Sequence, residues 1–143
     1  MSSATPRSVL FACTYNRTRS PMAESLARLE LGEDVRVASC GTRPLDETDY
    51  FMLAVLQEIG AHRPERPGQG FEAALEDGDV DLIVAMTEDS AASARKAADG
   101  KEIEVEYWPT PDPTLAEGTR DQVLDAYRGF RDDLRKRIRE RFA

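Results

Sequence analysis

A cysteine and an arginine six residues apart lie in a segment whose residue types suit the binding and attack of a phosphoryl group. Residues 13–20 read Cys-Thr-Tyr-Asn-Arg-Thr-Arg-Ser, and Pro21 follows them at a position typical of the first turn of a helix. A helix N-terminus stabilises negative charge, so it favours a bound anion and also the thiolate, which is the nucleophilic form of cysteine. The segment therefore predicts an oxyanion site with a reactive sulfur.

Each residue of this segment has an expected part in the site. Cys13 is the expected nucleophile, Arg19 supplies a guanidinium that can bind two phosphoryl oxygens at once, and Ser20 can donate its hydroxyl to the thiolate. Asn16 is the residue best able to take a left-handed backbone conformation and to hold the loop together through its side chain. The expected phosphate-binding residues are Thr14, Tyr15, Asn16, Arg17, Thr18 and Arg19.

Four segments have the hydrophobic pattern of β-strands. Residues 8–13 and 81–86 contain continuous apolar runs, which are typical of strands covered on both faces in a parallel sheet. Residues 34–40 have the pattern of a half-buried strand. Residues 102–108 alternate apolar side chains with glutamates, which predicts a strand at the edge of the sheet.

Helical patterns separate these strands and follow the last of them. The first helix begins near Pro21, and the last begins with a capping box of Thr119 and Gln122. Asp46 is expected to cap the second helix, because its apolar positions begin shortly afterwards. Two further helices are predicted at residues 71–75 and 87–100.

Strands that alternate with helices predict the fold class. We expect an α/β protein with a doubly wound, four-stranded parallel sheet flanked by helices, and a phosphate-binding loop after the first strand. Sites in such sheets lie at the carboxyl ends of the strands, where Cys13 and Cys40 fall, and Asp112 follows the last strand. The sequence thus predicts a single domain over residues 1–143, with a flexible start at residues 1–7.

The composition argues against several classes of function. A net charge of −8 disfavours a nucleic-acid partner, because binding to phosphate backbones needs a basic face. Two cysteines and one histidine cannot supply a four-ligand zinc site, so neither a metal nor another cofactor is expected. The apolar runs are too short to span a membrane, and residues 1–7 lack the apolar core of a signal peptide, so we expect a cytoplasmic protein.

Several motifs together resemble the low-molecular-weight protein tyrosine phosphatase family. They begin with residues 9–13, Val-Leu-Phe-Ala-Cys, and residues 19–24, Arg-Ser-Pro-Met-Ala-Glu. Residues 39–42, Ser-Cys-Gly-Thr, resemble the family's Ser-Ala-Gly-Thr, and residues 81–86 resemble its third strand. Asp112 and the proline after it resemble its late Asp-Pro. The resemblance spans nearly the whole chain.

This resemblance implies a phosphomonoesterase that acts through a cysteinyl-phosphate. Cys13 would attack phosphorus, Arg19 would hold the oxygens, and Asp112 would protonate the leaving group and then act as the base for water. The residues themselves agree, because Pro111 and Pro113 stiffen the loop that carries Asp112. The implied substrates are phosphorylated proteins, as for a tyrosine phosphatase, or small phosphoesters.

Four residues differ from the usual family pattern. Tyr15 replaces a glycine, and it either stacks on a substrate or packs on a neighbouring loop. Arg17 stands where an apolar residue is common, and it either meets an anionic substrate or is solvated. Thr18 replaces a cysteine that can form a protective disulfide, and Thr114 replaces an aromatic residue that stacks on phosphotyrosine. Phosphoester hydrolysis is therefore a firmer expectation than phosphotyrosine preference.

Two other functions fit the same residues. Arsenate reductases coupled to thioredoxin share this fold and loop but use resolving cysteines near the segment that is here residues 86–99, where there are none. A reductase would need an external thiol or Cys40, and a disulfide from Cys13 to Cys40 requires Cα atoms within about 7 Å. Cys40 is otherwise a small buried residue. The remaining function is a phosphoanion-binding module without turnover.

Overall fold

A parallel sheet of four strands forms the centre of the structure, a computed structural model that describes residues 6–143. The strands are β1 (Ser8–Cys13), β2 (Arg36–Gly41), β3 (Leu82–Ala85) and β4 (Glu104–Tyr107). Their order is β2-β1-β3-β4, and every neighbouring pair is parallel. The predicted fold class and the edge position of the last strand are confirmed. Of the start that was expected to be flexible, residues 1–5 lie outside the described residues.

Helices cover both faces of this sheet. They are α1 (Arg19–Leu31), α2 (Tyr50–Gln57), α3 (Phe71–Glu76), α4 (Glu88–Ala98) and α5 (Arg120–Phe142). Apolar side chains of α1, α2 and α5 form one core with one face of β1, and those of α3 and α4 form a second core with its other face. The sheet is therefore doubly wound, as predicted.

The side chains of β1 alternate between these two cores, because successive residues of a strand point to opposite faces. Val9, Phe11 and Cys13 belong to the core with α1 and α5, whereas Leu10 and Ala12 belong to the core with α3 and α4. Burial on both faces explains the continuous apolar run in the sequence. It also fixes the face of the sheet on which the Cys13 thiol lies.

The cap of α2 differs from the prediction. Asp49, not Asp46, precedes the helix, and its Oδ1 accepts hydrogen bonds from the backbone N–H groups of Phe51 and Met52 at 3.1 and 3.2 Å. Asp46 is exposed and lies in a segment without regular structure that continues to Asp49. The predicted capping box of the last helix is present.

Gly41, at the end of β2, lies against the loop that follows β1. A Cβ atom at this position would lie 2.7 Å from the backbone nitrogen of Asn16 and 2.8 Å from the carbonyl oxygen of Thr14. Side chains do not tolerate such distances, and backbone atoms cannot move aside cheaply. The contact between β2 and this loop therefore requires glycine.

Gly41→Ala should lower the free energy of unfolding by about 1–3 kcal/mol, because the added methyl group displaces the loop backbone. Gly129→Ala is the matched control, since Gly129 is exposed on α5 with open space around its Cα. It should raise the free energy of unfolding by about 0.5–1 kcal/mol, because alanine favours the helix. Urea denaturation followed by circular dichroism measures both, and equal changes would contradict the close approach.

Candidate active site

The chain from the last residue of β1 to the first turn of α1, residues 13–20, forms a loop that the chain after β2 holds from one side. We call it the phosphate loop. Backbone N–H groups of Thr42, Arg43 and Leu45 donate to the carbonyl oxygens of residues 13, 14 and 15, at 3.1, 2.7 and 3.0 Å. A trans peptide points its N–H away from its C=O, so the N–H groups of residues 14–16 face the opposite side.

Asn16 closes the phosphate loop. Its φ of 51° is the left-handed conformation that the sequence predicted for this residue. The side-chain Nδ2 donates to Ser20 Oγ at 2.9 Å and to Ser39 Oγ at 3.0 Å, and Oδ1 accepts the N–H of Gln69 at 3.0 Å. These bonds join the loop to β2 and to the chain before α3, and they fix the curvature of the loop.

The Cys13 thiol contacts Ser20 through two polar groups. Sγ lies 2.9 Å from Ser20 Oγ and 3.4 Å from the Ser20 backbone N–H. Ser20 Oγ also lies 3.1 Å from the carbonyl oxygen of Cys40, so its single proton has two possible acceptors. A thiol can donate to Oγ while the hydroxyl donates to Cys40, and a thiolate can accept the hydroxyl proton instead. The contact thus suits both protonation states of the sulfur.

Glu24 is a fully buried carboxylate beneath the loop. Arg66 donates to its two oxygens at 2.7 and 3.2 Å, Arg28 donates at 2.7 Å, and the Ser39 hydroxyl donates at 2.7 Å. Two guanidinium groups and a hydroxyl compensate the buried charge. Because Ser39 also accepts from Asn16, this ion-pair cluster supports the loop. The sequence analysis missed it, since Arg66 lies 42 residues from Glu24 in a loop that is marked only by prolines and glycines.

The sequence analysis also missed Asp89, whose carboxylate holds the start of the phosphate loop. This residue of α4 accepts hydrogen bonds from the hydroxyls of Thr14 and Thr87 at 2.8 and 2.6 Å, and from the Ser90 N–H at 2.9 Å. Burial by itself raises the pKa of Asp89, but the hydrogen bonds outweigh it and hold that pKa below its ordinary value. An ionised Asp89 therefore ties the first residue of the loop after Cys13 to the end of β3.

One pocket brings together the residues expected to be catalytic. Its lining consists of Cys13, Tyr15, Arg17, Thr18, Arg19, Asp112 and Thr114. A guanidine Nη1 of Arg19 donates to the carbonyl oxygen of Thr110 at 3.1 Å, and Thr110 in turn donates to the carbonyl oxygen of Met86. Asp112 Oδ1 accepts from Thr114 N–H at 3.0 Å and from the Thr114 hydroxyl at 2.6 Å. The loop after β4 is thus positioned across the pocket.

Two of the residues that differ from the usual family pattern, Tyr15 and Arg17, line this pocket. Arg17 donates to Glu47 at 3.0 Å, and Tyr15 is 41% exposed. The guanidinium carbon of Arg43 lies 5.5 Å from the centroid of the Tyr15 ring, within the range of a cation–π contact. Tyr15 therefore contacts the segment after β2 and also presents ring surface to solvent.

Cys40 lies on the other face of the sheet from Cys13. It pairs in register with Ala12, belongs to the core with α3 and α4, and is fully buried. Burial raises the pKa of the Cys40 thiol well above its ordinary value. Both cysteines are free. Because the two side chains point in opposite directions, a disulfide between them would require the strands to rearrange.

Within residues 6–143, no group of three or more His, Cys, Asp or Glu side chains is arranged to hold a metal ion. His62 is exposed in the loop before α3. None of the helices in the described part of the chain is both long and apolar enough to cross a membrane.

Comparisons with known proteins agree on one family. Residues 8–141 match the family model of low molecular weight phosphotyrosine protein phosphatase. An arsenate reductase of Bacillus licheniformis is 28% identical over 141 residues, 96% of this chain and 95% of that protein. An arsenate reductase of Halalkalibacterium halodurans is 30% identical over 131 residues, 92% and 91% of the two chains. The structure of the Erwinia amylovora tyrosine phosphatase amsI matches with a TM-score of 0.77 at 20% identity, covering 98% of this chain and 93% of that one. The chain belongs to the low molecular weight phosphotyrosine protein phosphatase family, whose fold arsenate reductases share.

Proposed function

We propose that this protein hydrolyses phosphate monoesters through a cysteinyl-phosphate intermediate. The observation that carries the proposal is the shared pocket of Cys13, Arg19 and Asp112, in which a thiol, a guanidinium and a carboxyl group meet beside the start of α1. These are a nucleophile, an oxyanion ligand and an acid. Family membership supports enzymatic function, and both free thiols suit the reducing cytoplasm in which we place the protein.

In the first step, the Cys13 thiolate attacks phosphorus in line with the ester oxygen. A P–S bond forms as the P–O ester bond breaks, and Asp112 gives its proton to the departing oxygen. Arg19 and the N–H groups of the phosphate loop bind the three remaining oxygens. Thr114 holds Asp112 Oδ1 with two hydrogen bonds, which leaves Oδ2 as the oxygen that carries the proton.

In the second step, water attacks the same phosphorus. The Asp112 carboxylate takes a proton from the water, the P–S bond breaks, and the electron pair returns to sulfur as the Cys13 thiolate. Inorganic phosphate leaves and Asp112 is protonated again, so both groups return to their starting states. A carboxyl group fixed in one position serves both steps.

We propose phosphorylated proteins or small phosphoesters as substrates. The exposed ring of Tyr15 offers a face on which an aromatic leaving group can stack. Thr114, which hydrogen-bonds to Asp112, provides no second ring on the other side. The pocket therefore supports phosphoester hydrolysis in general, with phosphotyrosine as one member of the substrate panel.

Arsenate reduction is the second candidate, because the two curated relatives compared above are arsenate reductases. Reduction of arsenate to arsenite takes two electrons, and a thiol relay supplies them by forming a disulfide. The chain has only two cysteines, and the Cys40 thiol is buried on the far face of the sheet from Cys13. An external thiol would have to act directly on Cys13. Hydrolysis needs no such partner, and we favour it.

Cys13→Ser should lower kcat for p-nitrophenyl phosphate by at least about 10³-fold, because a serine hydroxyl is not ionised at neutral pH. Cys40→Ala is the matched control, since it removes the other thiol but keeps the carbonyl group that contacts Ser20. It should leave kcat within about twofold, as expected for a residue outside the reaction. Steady-state release of p-nitrophenol measures both.

Activity that survives Cys13→Ser would contradict the cysteinyl-phosphate mechanism. Tight phosphate binding without hydrolysis of a broad substrate panel would favour a binding module. Arsenate-dependent consumption of a thiol reductant would favour the reductase, acting through an external thiol if the consumption survives Cys40→Ala and through Cys40 if it is lost.

Asp112→Asn should remove the basic limb of the pH profile of kcat/KM and lower kcat/KM at its optimum by about 10²-fold or more, because no group is left to protonate the leaving oxygen in the first step. The loss should be larger for phenyl phosphate than for p-nitrophenyl phosphate, whose leaving group departs readily without a proton. Asp121→Asn, an exposed residue of α5, is the control and should keep both limbs. Equal losses with the two esters would contradict general-acid catalysis.

A further inference from the structure

Helix α1 begins without the side-chain cap that its sequence offers. Thr18 precedes the helix, and threonine is a favoured capping residue, but its side chain makes no cap hydrogen bond and its ψ of −66° is far from the extended value of a capping residue. A cap accepts the N–H of the second or third helical residue. The third is Pro21, which has no N–H, and the second is Ser20.

The Ser20 N–H is already used. It donates to Cys13 Sγ at 3.4 Å, so a capping Thr18 would compete with the sulfur for the same hydrogen. The loop therefore contains two possible acceptors for one donor. The contact that keeps the Thr18 hydroxyl away from Ser20 therefore decides which acceptor receives the Ser20 N–H.

The Thr18 hydroxyl is held by Asp49 and, behind it, by Tyr127. Thr18 Oγ1 donates to Asp49 Oδ2 at 2.5 Å, and the Tyr127 hydroxyl donates to the same oxygen at 2.8 Å. Asp49 is 8% exposed, and its other oxygen caps α2. Burial and the hydrogen bond to Asp49 raise the pKa of Tyr127, so its hydroxyl remains a donor. The carboxylate is thus fixed from three elements of the fold.

We infer that Asp49 and Tyr127 are positioning residues, which hold Thr18 off the start of α1 and so leave the Ser20 N–H to the Cys13 sulfur. Without them, Thr18 turns to the capping conformation and takes this hydrogen bond, and the thiolate loses one of its two Ser20 donors. The inference rests on the proposed role of Cys13 as the nucleophile.

The direction in which replacement of Asp49 changes the stability of the Cys13 thiolate separates this inference from simple electrostatics. The charged side chains that line the pocket with Cys13 are Arg17, Arg19 and Asp112, and Asp49 lies behind Thr18. Removal of a nearby negative charge by itself favours the thiolate. Loss of a hydrogen bond to the thiolate disfavours it. The two accounts therefore predict opposite shifts when Asp49 is replaced.

The test is the pH dependence of Cys13 alkylation by iodoacetamide in the full chain, followed by mass spectrometry of the Cys13 peptide. Asp49→Ser keeps a capping oxygen for α2 but is too short to reach Thr18. It should raise the pH midpoint of alkylation by about one unit, the size expected for one hydrogen bond to a charged group. Tyr127→Phe should raise it less. Adding Thr18→Val to Asp49→Ser should restore the midpoint, because valine cannot cap.

Asp46→Ser is the matched control, since it removes an exposed aspartate three residues before Asp49. In this variant the pH midpoint of Cys13 alkylation should not move. A lower or unchanged midpoint in Asp49→Ser, or a raised one that persists in the double variant, would overturn the inference. If Asp49→Ser does not fold, Tyr127→Phe with and without Thr18→Val gives the same test. Alkylation needs no turnover, so a shift without phosphatase activity would refute only the proposed function.

Discussion

The left-handed backbone of Asn16 is the constraint on which the site depends. A side chain in this conformation costs roughly 1 kcal/mol, and three hydrogen bonds of the Asn16 amide, two of them fully buried, compensate for it. The same amide fixes Ser20 Oγ, which lies against the Cys13 sulfur. An aspartate would tolerate the backbone but could not donate to Ser20 and Ser39. The amide is therefore required by its donors as much as by its φ angle.

The chain is acidic overall, but positively charged side chains line the pocket that contains Cys13. The chain carries a net charge of −8, yet Arg17 and Arg19 line the pocket. Glu24, the buried carboxylate beneath the loop, is neutralised by Arg28 and Arg66. The Glu24 cluster therefore adds no uncompensated negative charge beneath the phosphate loop. At the pocket the positive groups are Arg19 and Arg17, the second of which is also paired with Glu47 at 3.0 Å.

The sequence predicts the parts of this molecule that depend on local signals. Buried apolar runs identify β1 and β3, and the spacing from Cys13 to Ser20 identifies the loop. The choice between Asp46 and Asp49 as the cap of α2 could not be made, because it depends on how the preceding chain packs. The other supports of the site are long-range partners with no local pattern. They are Glu24 with Arg66, Asp89 with Thr14, and Asp49 with Tyr127, separated by 42, 75 and 78 residues.

The residues of the phosphate loop that depart from the family pattern all have partners in one other segment, residues 43–49. The pairs are Tyr15 with Arg43, Arg17 with Glu47, and Thr18 with Asp49. Backbone hydrogen bonds from Arg43 and Leu45 join the same two segments. The two segments therefore form one structural unit, and a change in the loop alone leaves an unpaired partner across the contact. The phosphate loop transplanted by itself into another member of the family would lose all three of these partners unless residues 43–49 were transplanted with it.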